Sequence, residues 1–128
     1  MENKKFVFIL SSPLKKPIEA VGLMRVASNM KAFDSDVVID FFLIDEGVLL
    51  AKKGVSETIV VELEGQKSSV GELMDILREF DVKFFVCHAF MPVFGVKESE
   101  LIDNAEIKSS SYLGELLLEG RIPLSLNL

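Results

Sequence analysis

The sequence has no tryptophan, one cysteine, one histidine, one tyrosine and four prolines in 128 residues. One cysteine excludes a disulfide within the chain, and one cysteine with one histidine cannot build a zinc site on it. No metal or cofactor is therefore expected, and thiol chemistry, if there is any, falls to Cys87. Positive charge is also scarce. Fourteen Lys and Arg against 20 Asp and Glu leave a net charge of −6, with the cations scattered along the chain. This balance repels phosphate backbones and anionic leaflets, so neither nucleic acid nor a membrane surface is expected as a partner. Long apolar runs are missing too. Lys4 and Lys5 precede an apolar run from Phe6 to Leu10 that is shorter than a signal-peptide core. The most apolar stretch, Phe84 to Val96, is interrupted by His88 and Pro92 and falls short of the ~20 residues of a transmembrane helix. A cytoplasmic protein is the expectation.

What is present is a large apolar fraction, 49%, enough for one hydrophobic core, and the length suits a single domain over residues 1–128. Lys5 to Leu10, Val37 to Ile44 and Lys83 to Cys87 are nearly continuous apolar runs rich in β-formers. Such runs read as strands covered on both faces, the signature of a parallel sheet. Between them lie helical patterns. Pro17 suits a first helical position, and Leu23, Val26, Ala27 and Met30 repeat on one stripe of a helix reaching about Phe33, with Arg25, Asn29 and Lys31 opposite. Ser69 and Glu72 match a capping box ahead of Leu73, Ile76, Leu77 and Phe80. Val48 to Ala51 reads as one or two helical turns capped by Asp45, and Thr58 to Leu63 as a short extra strand. Short elements follow at Ser99 to Asp103 and Glu106 to Lys108. A last helix from Ser110 or Ser111 to Gly120 then feeds a strand from Ile122 to Leu126. Right-handed crossovers turn this alternation into an α/β fold, a three-layer α/β/α sandwich on a mainly parallel sheet of about five strands.

Ligands of such folds gather at the carboxyl ends of the strands, where the loops Ser11 to Lys16, Asp45 to Gly47 and His88 to Gly95 are expected to meet. Cys87 ends a buried strand on that side. Free cysteine is often a packed small hydrophobe, and a reactive one needs a cation, a helix N-terminus or directed N–H groups. His88 is adjacent in sequence, yet neighbouring residues of a strand face opposite ways, so the two can approach only if the strand ends between them. Ser11 and Ser12, reinforced by Lys15 and Lys16, resemble a cradle for a small anion, against the plainer reading of helix capping. The loop after Cys87 carries Phe90, Met91, Val93 and Phe94. So apolar a loop needs a cover, as a lid over the site or as a contact with another subunit; otherwise it fills a gap in its own domain.

Three blocks carry a family resemblance: the first strand ending in Ser11-Ser12-Pro13, Phe41 to Leu50 (FFLIDEGVLL), and Val82 to Met91 (VKFFVCHAFM) followed by Phe94 to Ile102 (FGVKESELI). Over nearly its whole length the chain resembles the DsrE/DsrF-like proteins, which include TusD-type sulfur-relay subunits. The resemblance implies the three-layer sandwich, assembly into trimers or hexamers, and transient persulfide formation on a cysteine at the position of Cys87. His88 and Phe90 match no motif with an assigned role. The expected function is a sulfur carrier or sulfurtransferase-like protein, with Cys87 catalytic and Ser11, Ser12, Gly47, His88, Phe90, Met91, Phe94 and Gly95 forming its pocket or lid. With no second thiol in the chain, the relay would run to a partner protein. Two rival expectations are a non-catalytic oligomeric module with a packed Cys87, and a small-molecule or nucleotide binder using Ser11, Ser12 and Gly47.

Overall fold

The computed structural model describes residues 4–126. Strand β1 (Lys5–Leu10) leads into helix α1 (Pro17–Phe33), strand β2 (Val38–Leu43) and a 3-10 segment over Asp45–Ala51. A hairpin of β3 (Val60–Leu63) and β4 (Gln66–Ser69) precedes helix α2 (Val70–Glu79). Strand β5 (Phe84–Cys87), strand β6 (Ala105–Lys108), helix α3 (Ser110–Leu118) and strand β7 (Ile122–Leu124) complete the chain. The main sheet has five strands in the order β6-β5-β2-β1-β7, all parallel.

The order of strands fixes the layers. From β1 to β2 to β5 the chain steps the same way across the sheet, so right-handed crossovers put α1 and α2 together on one face, where they pack on each other. From β6 to β7 it steps back, which places α3 on the other face. Side chains alternate accordingly. The rings of Phe8, Phe41 and Phe84 form a chain on the α1/α2 side, with centroids 5.3 and 5.2 Å apart. On the opposite side, Phe85 meets Tyr112 of α3 edge-on at 5.2 Å. These rings are almost wholly buried apart from Tyr112, and each aromatic pair adds ~0.5–1.5 kcal/mol beyond area burial.

Several local expectations change. The extra strand at Thr58 to Leu63 is half of a hairpin that turns at Glu64 and Gly65, both at positive φ (53° and 77°). Ser69 caps α2 as expected, its Oγ accepting Glu72 N–H at 3.0 Å. Asp45 does not cap the following segment. It sits at φ 50°, and Ile44 holds the capping position without a side-chain bond. Val26 is exposed, Ile76 is exposed and Met74 buried in its place, and Lys31 is buried with its amine on the carbonyls of Ser35 and Val37 at 3.2 and 2.7 Å. That amine ties off the end of α1, which explains a lysine inside. The element expected at Ser99 to Asp103 is a 3-10 turn over Glu98–Glu100, and β7 ends at Leu124. Among the described residues no helix is long and apolar enough to cross a membrane.

Candidate functional site

Because β5, β2 and β1 are adjacent and parallel, their carboxyl ends bring the three candidate loops to one edge of the sheet. The 3-10 segment Asp45–Ala51 packs against the turn His88–Phe90. The edge is held shut by the protein's own carboxylates. Ser12 N–H donates to Glu19 Oε1 at 3.0 Å, and Leu14 N–H and Lys15 N–H both donate to Glu46 Oε1, at 2.6 and 3.0 Å. Both glutamates are buried. The amide cradle expected to receive a small anion at Ser11 and Ser12 is thus filled from within, which removes the basis for a nucleotide or oxyanion site there. Gly47 has a packing role. A Cβ on it would collide with the carbonyl oxygen of Leu10, so only glycine lets the 3-10 segment lie on the end of β1.

Cys87 is the last residue of β5 and is 1% exposed. It shares a sheet face with Phe85 and has Lys108 as its register partner on β6. The lysine amine lies over the Tyr112 ring, 4.5 Å from its centroid, and 3.9 Å from Glu106 Oε2. The strand does end between Cys87 and His88, where a 3-10 turn begins, but His88 is exposed and the thiol is not. Of the loop's large apolar side chains Met91 turns inward, at 5% exposure, Phe90 and Phe94 are half-buried against the core, and Val93 projects, at 70%, while His88, Ala89, Pro92 and Gly95 are exposed as well. Gly95, at φ 67°, lets the chain reverse so that Val96 N–H reaches Met91 O at 2.9 Å. Between this turn and β6 lies a mainly apolar cleft of about 450 Å³, lined by His88, Met91, Pro92, Gly95, Val96 and Ile107, with Lys97 and Glu98 at its polar side. Cys87 does not line the cleft: its side chain lies on the sheet face of Phe85 and Lys108, and Ile107 of the cleft lies on the other.

The structure therefore gathers His88, Met91 and Gly95 around one cleft beside Cys87, while Ser11, Ser12 and Gly47 belong to a closed part of the same edge. Reading the sequence missed Glu19 and Glu46 as the groups that fix the Ser12–Lys15 loop. Among the described residues no cluster of three or more His, Cys, Asp or Glu could hold a metal ion.

Two solved structures share this architecture. The YchN protein from E. coli matches with a TM-score of 0.78 at 19% identity, over 96% of this chain and 98% of that one. MTH1491 from Methanobacterium thermoautotrophicum, a protein of unknown function, matches with a TM-score of 0.74 at 15% identity, over the same 96% and 98%. No curated protein matches the sequence. The family model described as the DsrE/DsrF-like family matches residues 4–124, and the chain belongs to that family.

Proposed function

We propose that the protein carries sulfane sulfur as a persulfide on Cys87 and hands it to the thiol of a partner protein. The observation that carries this reading is the position of the only thiol: the last residue of an inner strand, immediately before the turn that lines an apolar cleft, in a family associated with sulfur relay. In the loading step the Cys87 thiolate attacks a sulfane sulfur of the donor, an S–S bond of the donor breaks, and the leaving sulfur departs as a thiolate or hydrosulfide. In the second step a partner thiolate attacks the outer sulfur and Cys87 leaves as a thiolate. The sulfane sulfur keeps its oxidation state throughout, so no external oxidant or cofactor is needed. Because the thiol is closed off in the single chain, loading requires the His88–Val96 turn to open or to be displaced by the partner. The reading places the protein in a reducing cytoplasm and in a trimer or hexamer, with Val93 in contact with a neighbouring subunit or with a second relay protein.

A second reading, a non-catalytic oligomeric module with a packed Cys87, draws its support from the 1% exposure of that residue. Intact mass after treatment of the native protein with polysulfide separates the two. The carrier gains sulfur in 32-Da steps, loses the gain on reduction, and shows none in Cys87→Ser. No gain by the native wild type, or an equal gain in Cys87→Ser, refutes the carrier.

A further inference from the structure

At the opposite end of the sheet, far along the strands from Cys87, a cavity of about 320 Å³ opens among Lys31, Asp40, Lys83, Phe85, Tyr112 and Arg121. Its floor is unusual. Arg121 places Nη1 on Asp40 Oδ2 at 2.9 Å and on the carbonyl of Phe6 at 3.1 Å. That leaves the other edge of the guanidinium, Nε–H with Nη2, and Nε is buried with no partner among the described residues. This is the edge that grips a planar carboxylate through two parallel hydrogen bonds. A buried donor left unmatched keeps its desolvation penalty uncompensated, so a site that keeps one is suited to a ligand that supplies the acceptor.

The charge around the cavity limits what that ligand can be. Asp81 also lines it, Glu106 pairs with Lys83 at 3.1 Å, and Lys108 lies over the Tyr112 ring. Four cations, Lys31, Lys83, Lys108 and Arg121, thus face three carboxylates, Asp40, Asp81 and Glu106, an excess of one positive charge. Glu106 holds the Lys83 amine above the ordinary lysine value, so it stays charged at neutral pH. One negative charge balances the site, whereas two would meet repulsion from Asp40 and Asp81. The Phe85 and Tyr112 rings and Val38 complete the wall, which gives the remainder of the ligand an apolar surface.

The geometry points to a binding site for a small monocarboxylate with an apolar body, its carboxylate on the free edge of Arg121 beside Lys83 and its body against Phe85 and Tyr112. Nε is closed to solvent, so binding requires the Arg121 side chain to shift enough for the ligand oxygen to reach it. Benzoate is the probe, and phosphate and acetate are the comparators. Arginine-selective NMR of the full-length wild type is expected to show a saturable shift of the Arg121 Nε–H resonance with benzoate. Acetate should bind at least about tenfold more weakly for want of an apolar body, and phosphate more weakly still. Lys83→Met, at a half-exposed position that leaves the core intact, should weaken benzoate severalfold, and Arg121→Met should abolish the saturable response in melting temperature. The assignment is overturned if the Nε–H resonance fails to move saturably, if phosphate binds as tightly as benzoate, or if Lys83→Met binds benzoate like the wild type. Should Arg121→Met fail to fold, the wild-type resonance and Lys83→Met decide alone.

Discussion

The ion pair between Asp40 and Arg121 allows a quantitative test of how β7 is held to the sheet. Asp40 lies within β2, and its carboxylate accepts Lys83 N–H through Oδ1 at 3.0 Å and Arg121 Nη1 through Oδ2 at 2.9 Å. The side chains are 9% and 11% exposed, so water screens the pair little. Exposed pairs contribute ~0–1 kcal/mol, whereas removing one partner of a buried pair costs about 3–5 kcal/mol, because the remaining charge is stranded. Asp40→Ala strands Arg121 and also frees the Lys83 amide, so the upper half of that range is expected. Asp40→Asn preserves shape and an acceptor and should cost about 1.5–3 kcal/mol, the difference a charged hydrogen bond makes. Combining Asp40→Leu with Arg121→Met removes both charges, and the double variant should be more stable than either single one. Urea unfolding with an unchanged m-value measures all of these. An Asp40→Ala cost below about 1 kcal/mol, or strict additivity in the double variant, would refute the reasoning, since either means that the pair behaves as an exposed one.

Other consequences are as direct. Gly47→Ala forces a methyl group into the Leu10 carbonyl and should destabilise by about 1–3 kcal/mol in thermal unfolding, despite alanine's better helix propensity. Glu46→Gln keeps an acceptor while Glu46→Ala keeps none, so amide exchange at Leu14 and Lys15 should speed up by roughly tenfold or more in the alanine variant and less in the glutamine one. Glu100 accepts Lys97 N–H at 2.9 Å and lies 3.5 Å from the Lys52 amine, which hold its carboxyl below the ordinary glutamate range. Its folded-state value is depressed, so the stabilisation is present above the unfolded value and lost as pH falls through the folded one. NMR titration should place its midpoint below that of a glutamate in an unfolded peptide, with the Lys97 amide shift following the same curve.

Legibility in the sequence followed the strength of the physical signal. The continuous runs at Phe6 to Leu10, Val37 to Ile44 and Phe84 to Cys87 declared inner parallel strands because no partly exposed strand tolerates them, and the sheet and its layers followed. Helix faces were read less well at Val26 and Ile76, since an i, i+3, i+4 stripe says which residues align and not how far the covering layer extends. The helical pattern puts Lys31 outside, as for most lysines; two carbonyls at the end of α1, which no local pattern announces, hold it inside. At the candidate site, Ser11, Ser12 and Lys15 looked like an anion cradle. The groups that fill it, Glu19 and Glu46, are 7 and 31 to 32 residues from the amides they satisfy, and contacts across such separations are written in the fold and in no local window.

The burial of Cys87 then becomes a question of which motion exposes it. An opening of the His88–Val96 turn that leaves Phe90 and Phe94 packed uncovers Met91 and Val96, each 5% exposed, at about 1.5–3 kcal/mol per side chain. Local opening at ~3–6 kcal/mol lies below the ~5–15 kcal/mol of global unfolding for a domain of ordinary stability. A thiol reached this way should be alkylated roughly a hundred- to ten-thousandfold more slowly than an unprotected cysteine, at ~1.4 kcal/mol per factor of ten. The two routes separate in the Asp40→Asn variant, whose lesion lies at the far end of the sheet. If the turn opens locally, its alkylation rate matches that of the wild type while its urea midpoint falls. If exposure requires the whole domain to unfold, the rate rises by the full stability difference, and Cys87 is core and nothing more. A carrier needs the first behaviour, because a sulfur donor has to reach the thiol while the sheet that positions it stays folded.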